Sequence, residues 1–199
     1  MFDNALREIK DAVLVPVADR AGARLSPTVV SVVGLGFGLL SAGAALVGAY
    51  AAALLLWGVN RFLDGLDGTI ARRHDKQSAM GGYLDTLLDH VVYTAIPVAL
   101  ALSDGGRGAL LACIWLLATF YVNGASWMML SAILERHTTG EATLTTVKMP
   151  NGIIEGGETV AFYTAFLLFP AHIVPLFATM GALVVVTIIG RLIWAFRHL

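Results

Sequence analysis

Four aspartates, Asp64, Asp67, Asp85 and Asp89, give this chain its most distinctive chemistry. They stand at the ends of two strongly apolar segments, where each charge carried to the centre of a bilayer costs about 2.5–3.5 kcal/mol. Four charges of one sign also repel one another. Such a cluster is tolerable near the interface or in a wet cavity, with cations to neutralise it. On helices, Asp64 and Asp67 share one face, as do Asp85 and Asp89 on theirs. Two helices that each offer two carboxylates can enclose a hard cation. All-oxygen ligation suits Mg²⁺, Mn²⁺ or Ca²⁺ rather than zinc. Four carboxylates can hold two such ions about 3.5–4 Å apart, an arrangement that stabilises charge on a transferring phosphoryl group.

The residues between the two pairs suit a phosphate substrate. Gly68, Gly81 and Gly82 remove side chains where a ligand must approach backbone, and Ala71 is also small. Arg72 can fork onto phosphate oxygens. The last aspartate, Asp89, can serve as general base toward an attacking hydroxyl.

The elements that position these residues must lie in a membrane. Of 199 residues, 57% are hydrophobic and 14% charged, against about 25% charged in soluble domains. Mean hydropathy is +0.76. A net charge of −1 removes any global basic signature and argues against nucleic acid as a partner. The single cysteine, Cys113, cannot form an intrachain disulfide. Charges at Asp3, Arg7, Glu8, Lys10 and Asp11 interrupt any signal-peptide core.

Residues 2–15 place Phe2, Leu6, Ile9 and Val13 at helical spacing, which predicts an amphipathic interfacial helix ending near Pro16. Six apolar segments of roughly spanning length follow, at 28–49, 51–71, 82–102, 108–134, 156–171 and 173–195. The fold class is therefore all-α: a polytopic membrane protein of one domain over 1–199. Residues 1–25 form the interfacial helix and linker, and 28–195 a six-span bundle. Pro170 and Pro175 bracket a tight turn between the last two spans. Gly34, Gly36, Gly38, Ala42 and Gly43 form a stripe for close packing in the first span. The distribution of Arg and Lys puts both termini and the aspartates on the cytoplasmic side, with only Arg107 in a loop opposite.

The spacing D-x2-D-G-x2-A-R-x8-G-x3-D-x3-D is met at Asp64, Asp67, Gly68, Ala71, Arg72, Gly81, Asp85 and Asp89. In this the chain resembles the CDP-alcohol phosphotransferase family, and the resemblance extends to the spans and the N-terminal helix. It departs at the start of span one, where the family often shows Pro-Asn followed by Thr. This chain has Ser26-Pro27-Thr28 and then Ser31. The resemblance implies displacement of CMP from a CDP-linked alcohol, often CDP-diacylglycerol, by the hydroxyl of a second alcohol in phospholipid biosynthesis. It implies Asp64, Asp67 and Asp85 as ligands of two Mg²⁺ or Mn²⁺ ions, and Asp89 as general base and further ligand. Gly68, Ala71, Arg72 and Gly81 would line the CDP site, with Ser78 and Thr28 as further contacts. It also implies a homodimer in the cell inner membrane.

The acceptor alcohol is not written in the motif. Arg136, Lys148, Asn151, Glu155, Glu158 and Arg191 lie at cytoplasmic span ends. A phosphorylated polyol, such as glycerol 3-phosphate or inositol phosphate, would use Lys148 and Arg191 as anion receptors. A neutral or amine acceptor would use Glu155 and Glu158 more. Arg136, Lys148 and Arg191 also read as interfacial charges that snorkel. The phosphorylated polyol is slightly preferred. Two other functions compete: a CDP-diacylglycerol hydrolase with water as nucleophile, and a cation transporter. The transporter is disfavoured because spans three to six offer few polar residues along the membrane depth.

Overall fold

The structure, a computed structural model, describes residues 14–20, 22, 25–138 and 152–199, the side chains of 136–138 excepted. Regular structure among them is all helical. We number the helices α1 (residues 14–20), α2 (Pro27–Leu46), α3 (Tyr50–Arg73), α4 (Ala79–Asp104), α5 (Arg107–Thr138), α6 (Gly156–Leu168) and α7 (Ile173–His198). A 3₁₀ turn at Pro170–His172 joins the last two.

Each expected span has a helix in its place. Four helical stretches are long and apolar enough to cross a membrane: Pro27–Leu46, Ala79–Asp104, Arg107–Glu135 and Pro170–His198. α3 has the length at 24 residues, but Arg61, Asp64 and Asp67 make its second half polar. α6, with 13 residues, reaches only roughly 20 Å at 1.5 Å per residue.

Two boundaries set by proline differ from expectation. Helix α1 runs through Pro16 to Arg20, because Leu14 and Ala18 bury in an apolar cluster with Val30 of α2 and Leu66 and Ile70 of α3. Of the amphipathic stretch expected over 2–15, residues 2–13 lie outside the described residues. Pro175 does not bound the last turn either. It sits in the first turn of α7, where its missing N–H has no helical partner to lose.

The chain divides into two compact units, one holding α1 to α4 with Phe166–Pro170, the other α5, most of α6, and α7. In the first, α2 packs against both α3 and α4. Gly34, Gly38 and Ala42 of the expected stripe are buried, with Ser41 and Ala45 beside them. A Cβ at Gly38 would overlap the Val92 γ-carbons of α4. Gly36 and Gly43, expected to share this packing, are exposed with nothing near them. They stand on other faces of the helix. Asn60 of α3, buried, donates to the Gly34 carbonyl at 2.8 Å, and Ser41 donates to Ala53 O at 2.7 Å. Helix α4 starts on Ser78, whose hydroxyl accepts from Gly81 N at 3.0 Å. It ends on Gly105 in the left-handed conformation, φ 70°, which only glycine adopts freely.

In the second unit α5 packs against α7. Gly181 makes room for the Trp115 indole, which a Cβ there would strike. Residues 152–155 are pinned to α7 by Thr187, whose hydroxyl accepts from Ile153 N at 3.0 Å and Ile154 N at 3.1 Å.

Candidate active site

Helices α3 and α4 bring the four aspartates to one crevice. The spacings of three and four residues put each pair on one helical face, and α2 closes the third side. The crevice, about 10 Å³, is lined by Asp64, Asp67, Asp85 and Asp89 with Ser31, Asn60 and Arg61 among others. Asp67 is the most enclosed, 6% exposed. It accepts a hydrogen bond from the Ser31 hydroxyl of α2. Asp89 is paired with Arg61, Nη2 to Oδ1 at 2.7 Å. The same guanidinium lies 3.6 Å from Asp64.

The donor set suits a hard divalent cation: four carboxylates from two helices with backbone fixed by close packing. As placed, no three His, Cys, Asp or Glu side chains among the described residues converge on one point. Arg61 pairs with Asp89 and Asp64, and Ser31 holds Asp67.

A larger cleft of about 630 Å³ adjoins the crevice and shares Ser31, Asp67 and Asp85 with it. All six residues expected around CDP line this cleft: Thr28, Gly68, Ala71, Arg72, Ser78 and Gly81. So do Lys76, Gln77 and Gly82. The first turns of α2 and α4 both face it, and helix N-termini favour anions through their unpaired N–H groups. Arg72 and Lys76 add positive charge at the end of α3. A Cβ at Gly68 would meet Arg72 Nη1 at 3.2 Å, so the glycine lets Arg72 lie close over the helix. Lys76 is held by the carbonyls of Gly22 at 2.7 Å and Leu25 at 3.1 Å. Helix α1 is clasped to the end of α3 by Asp19, which pairs with Arg73 at 2.6 Å, and by Ala18 O, 3.1 Å from His74 Nε2.

The residues expected at the acceptor site have other partners. Glu155 accepts from Gly152 N at 2.7 Å, and Glu158 reaches back to Glu155 N at 3.2 Å. These bonds form the start of α6, the second being the reciprocal half of a capping box. Arg191 is 7% exposed, so it does not snorkel. Its Nη1 donates to the carbonyl and side-chain oxygens of Asn123 at 3.1 and 3.0 Å, and its Nε is buried without a hydrogen-bond partner among the described residues. Lys148 and Asn151 lie outside the described residues, and Arg136 outside the described side chains.

Sequence reasoning did not give Asn60, Tyr93 or the ordering role of Arg61, and it named Ser31 only in the departure from the family pattern at the start of span one. Ser31 stands 36 residues before its partner, and no short-range spacing joins them. Arg61 was visible as a cation three residues before Asp64, a spacing that marks a helical pair but not the frame around it.

The family model for CDP-alcohol phosphatidyltransferase matches residues 24–194. The chain is 34% identical over 184 residues to inner membrane protein YnjF of Escherichia coli strain K12, covering 91% of this chain and 86% of that one. Two solved structures of Mycobacterium tuberculosis phosphatidylinositol phosphate synthase (PgsA1) share the fold. One, with CDP-DAG bound, matches with a TM-score of 0.67 and 17% identity, covering 91% of this chain and 92% of that one. The other, in complex with manganese and citrate, matches with a TM-score of 0.67 and 17% identity, covering 90% and 87%. Four apolar helices of spanning length and an inner-membrane relative make the chain an integral membrane protein. It belongs to the CDP-alcohol phosphatidyltransferase family, enzymes that transfer phosphate-containing groups.

Proposed function

We propose that the protein transfers the phosphatidyl group of CDP-diacylglycerol to the hydroxyl of a phosphorylated polyol, releasing CMP. The observation that carries this reading is the cleft. It joins two helix N-termini, Arg72 and three small residues, Gly68, Ala71 and Gly81, to the aspartate crevice. The names of the solved relatives support the donor and the metal class.

Phosphates of the donor rest on the first turns of α2 and α4 and on Arg72. Asp64, Asp67, Asp85 and Asp89 would hold two Mg²⁺ or Mn²⁺ ions, which supply neutralisation of the charge that develops on the phosphoryl oxygens. Asp89 takes the proton of the acceptor hydroxyl. That oxygen forms a bond to the phosphorus bearing diacylglycerol, the bond from this phosphorus to the CMP oxygen breaks, and CMP leaves with the electron pair. The phosphorylated acceptor is supported by Arg191, a buried cation with one N–H unmatched among the described residues. A neutral or amine acceptor has less support, since Glu155 and Glu158 spend their carboxylates on backbone N–H groups. On this reading α3 and α6 complete six spans, the site and both termini face the cytoplasm, and the protein acts as a single-domain homodimer.

The test is CMP release from CDP-diacylglycerol with Mg²⁺ or Mn²⁺ across glycerol 3-phosphate, inositol phosphate, inositol, serine and no acceptor. Release that requires a phosphorylated polyol is expected. Equal release without an alcohol would make the protein a hydrolase. The Asp89→Asn variant is expected to fold, bind donor and lose at least about 10²-fold in turnover, the scale of general-base catalysis.

A further inference from the structure

The arrangement around Arg61 exceeds what an ion pair between two helices needs. Its Nε donates to Asn60 Oδ1 at 2.9 Å, Nη1 to the Tyr93 hydroxyl at 2.8 Å, and Nη2 to Asp89 Oδ1 at 2.7 Å. The guanidinium carbon lies 4.7 Å from the Trp57 ring centroid and 5.1 Å from that of Tyr93. Those two rings meet edge to face, with centroids 6.2 Å apart. Asn60 is itself fixed to Gly34 O of α2. The cation is thus held from α3 and α4 directly and from α2 through Asn60. Its side chain is only 12% exposed. It stands beside two of the four crevice carboxylates.

From this we infer that Arg61 is a positioning residue and the permanent cation of the aspartate cluster. It fixes the Asp89 carboxylate by one oxygen, leaving Oδ2 to meet the acceptor hydroxyl. It also offsets one negative charge, so the cluster binds divalent ions less tightly than four carboxylates alone would. The inference rests on the proposed transferase reading for its effect on turnover. Its effect on ion binding is independent of that reading.

The two functions separate by substitution. Arg61→Gln removes the charge and the fork. Mn²⁺ binding, followed by calorimetry without substrate, should tighten at least about tenfold, since a nearby cation no longer repels the ion. Turnover should fall at least about tenfold, because the base is no longer held, with KM for CDP-diacylglycerol unchanged. Arg61→Lys keeps the charge but not the planar fork. It should return Mn²⁺ affinity to the wild-type value while turnover stays low. Tyr93→Phe removes one partner of the fork and no charge. It should lower turnover without moving Mn²⁺ affinity, and it carries the test if Arg61→Gln does not fold. A bridge that only ties α3 to α4 would lower thermal stability and leave Mn²⁺ affinity unchanged or weakened in Arg61→Gln. That result, or full turnover in both Arg61→Lys and Tyr93→Phe, would overturn the inference. A wild-type protein that binds Mn²⁺ but releases no CMP would instead sink the transferase reading.

Discussion

Ser31 of α2 donates its hydroxyl to the buried carboxylate of Asp67 on α3, tying the first helix of the bundle to the aspartate crevice. The same hydroxyl lies 3.1 Å from Pro27 O, one turn back. A hydroxyl has one proton to give, and the charge-assisted bond to the carboxylate is the stronger. Ser31→Ala should therefore release Asp67 rather than unwind α2. A hydrogen bond to a charged group is worth about 1.5–3 kcal/mol. On the proposed reading the variant needs more Mg²⁺ or Mn²⁺ for half-maximal CMP release, and Ser31→Thr restores it. An unchanged metal titration in Ser31→Ala would remove Ser31 from the site.

Ser78 has two roles that one substitution can divide. Its hydroxyl caps α4 by accepting from Gly81 N, and it lines the cleft expected to hold the donor phosphates. Losing the cap costs about 1 kcal/mol, so Ser78→Ala should lower thermal stability modestly. Aspartate caps as well as serine but puts a negative charge beside the phosphates. Ser78→Asp should keep the melting temperature and raise KM for CDP-diacylglycerol. An unchanged KM would leave Ser78 as a cap alone.

Much of this site was legible because it is local. The motif puts each aspartate pair on one helical face, and the six residues expected around CDP fall in one cleft because helix ends carry them there. Apolar length picked out the four helices long and apolar enough to cross a membrane, while the charges of α3 and the 13 residues of α6 set those two apart. What was hidden depends on partners far along the chain. Ser31 meets Asp67, Arg61 meets Tyr93 and Asp89, and Thr187 meets Ile153 and Ile154 only after packing. Pro16 misled for the same reason: burial of Leu14 and Ala18 outweighs the local signal to stop. Glu155 and Glu158 read as ligand groups, yet their carboxylates accept from the N–H groups of Gly152 and Glu155 where α6 begins.

The glycine stripe of α2 separates into a packed face and an exposed one. Gly38→Ala drives a methyl into the Val92 γ-carbons and toward Asn60 Nδ2. Overpacking of this kind costs about 1–3 kcal/mol, and it also disturbs the residue that orients Arg61. Gly36→Ala meets nothing and should stay within about 1 kcal/mol of the unsubstituted protein. Thermal unfolding in detergent distinguishes the two. Equal melting temperatures would mean that α2 and α4 do not approach as closely as Val92 indicates.

Arg191 offers the sharpest test of the acceptor. Its guanidinium leans on Asn123, but one of the two bonds goes to the Asn123 backbone carbonyl, at 3.1 Å. Asn123→Ala therefore removes only the side-chain partner and leaves the cation in place. Arg191→Ala removes the cation and the bonds together. If Arg191 receives the phosphate of a phosphorylated polyol, its loss should raise KM for that acceptor by roughly tenfold or more, the worth of a charge-assisted bond. KM for CDP-diacylglycerol should not move. Asn123→Ala should lower stability somewhat and leave both KM values near normal. If the two variants raise acceptor KM equally, Arg191 acts through packing against α5, and the acceptor's anion is received elsewhere.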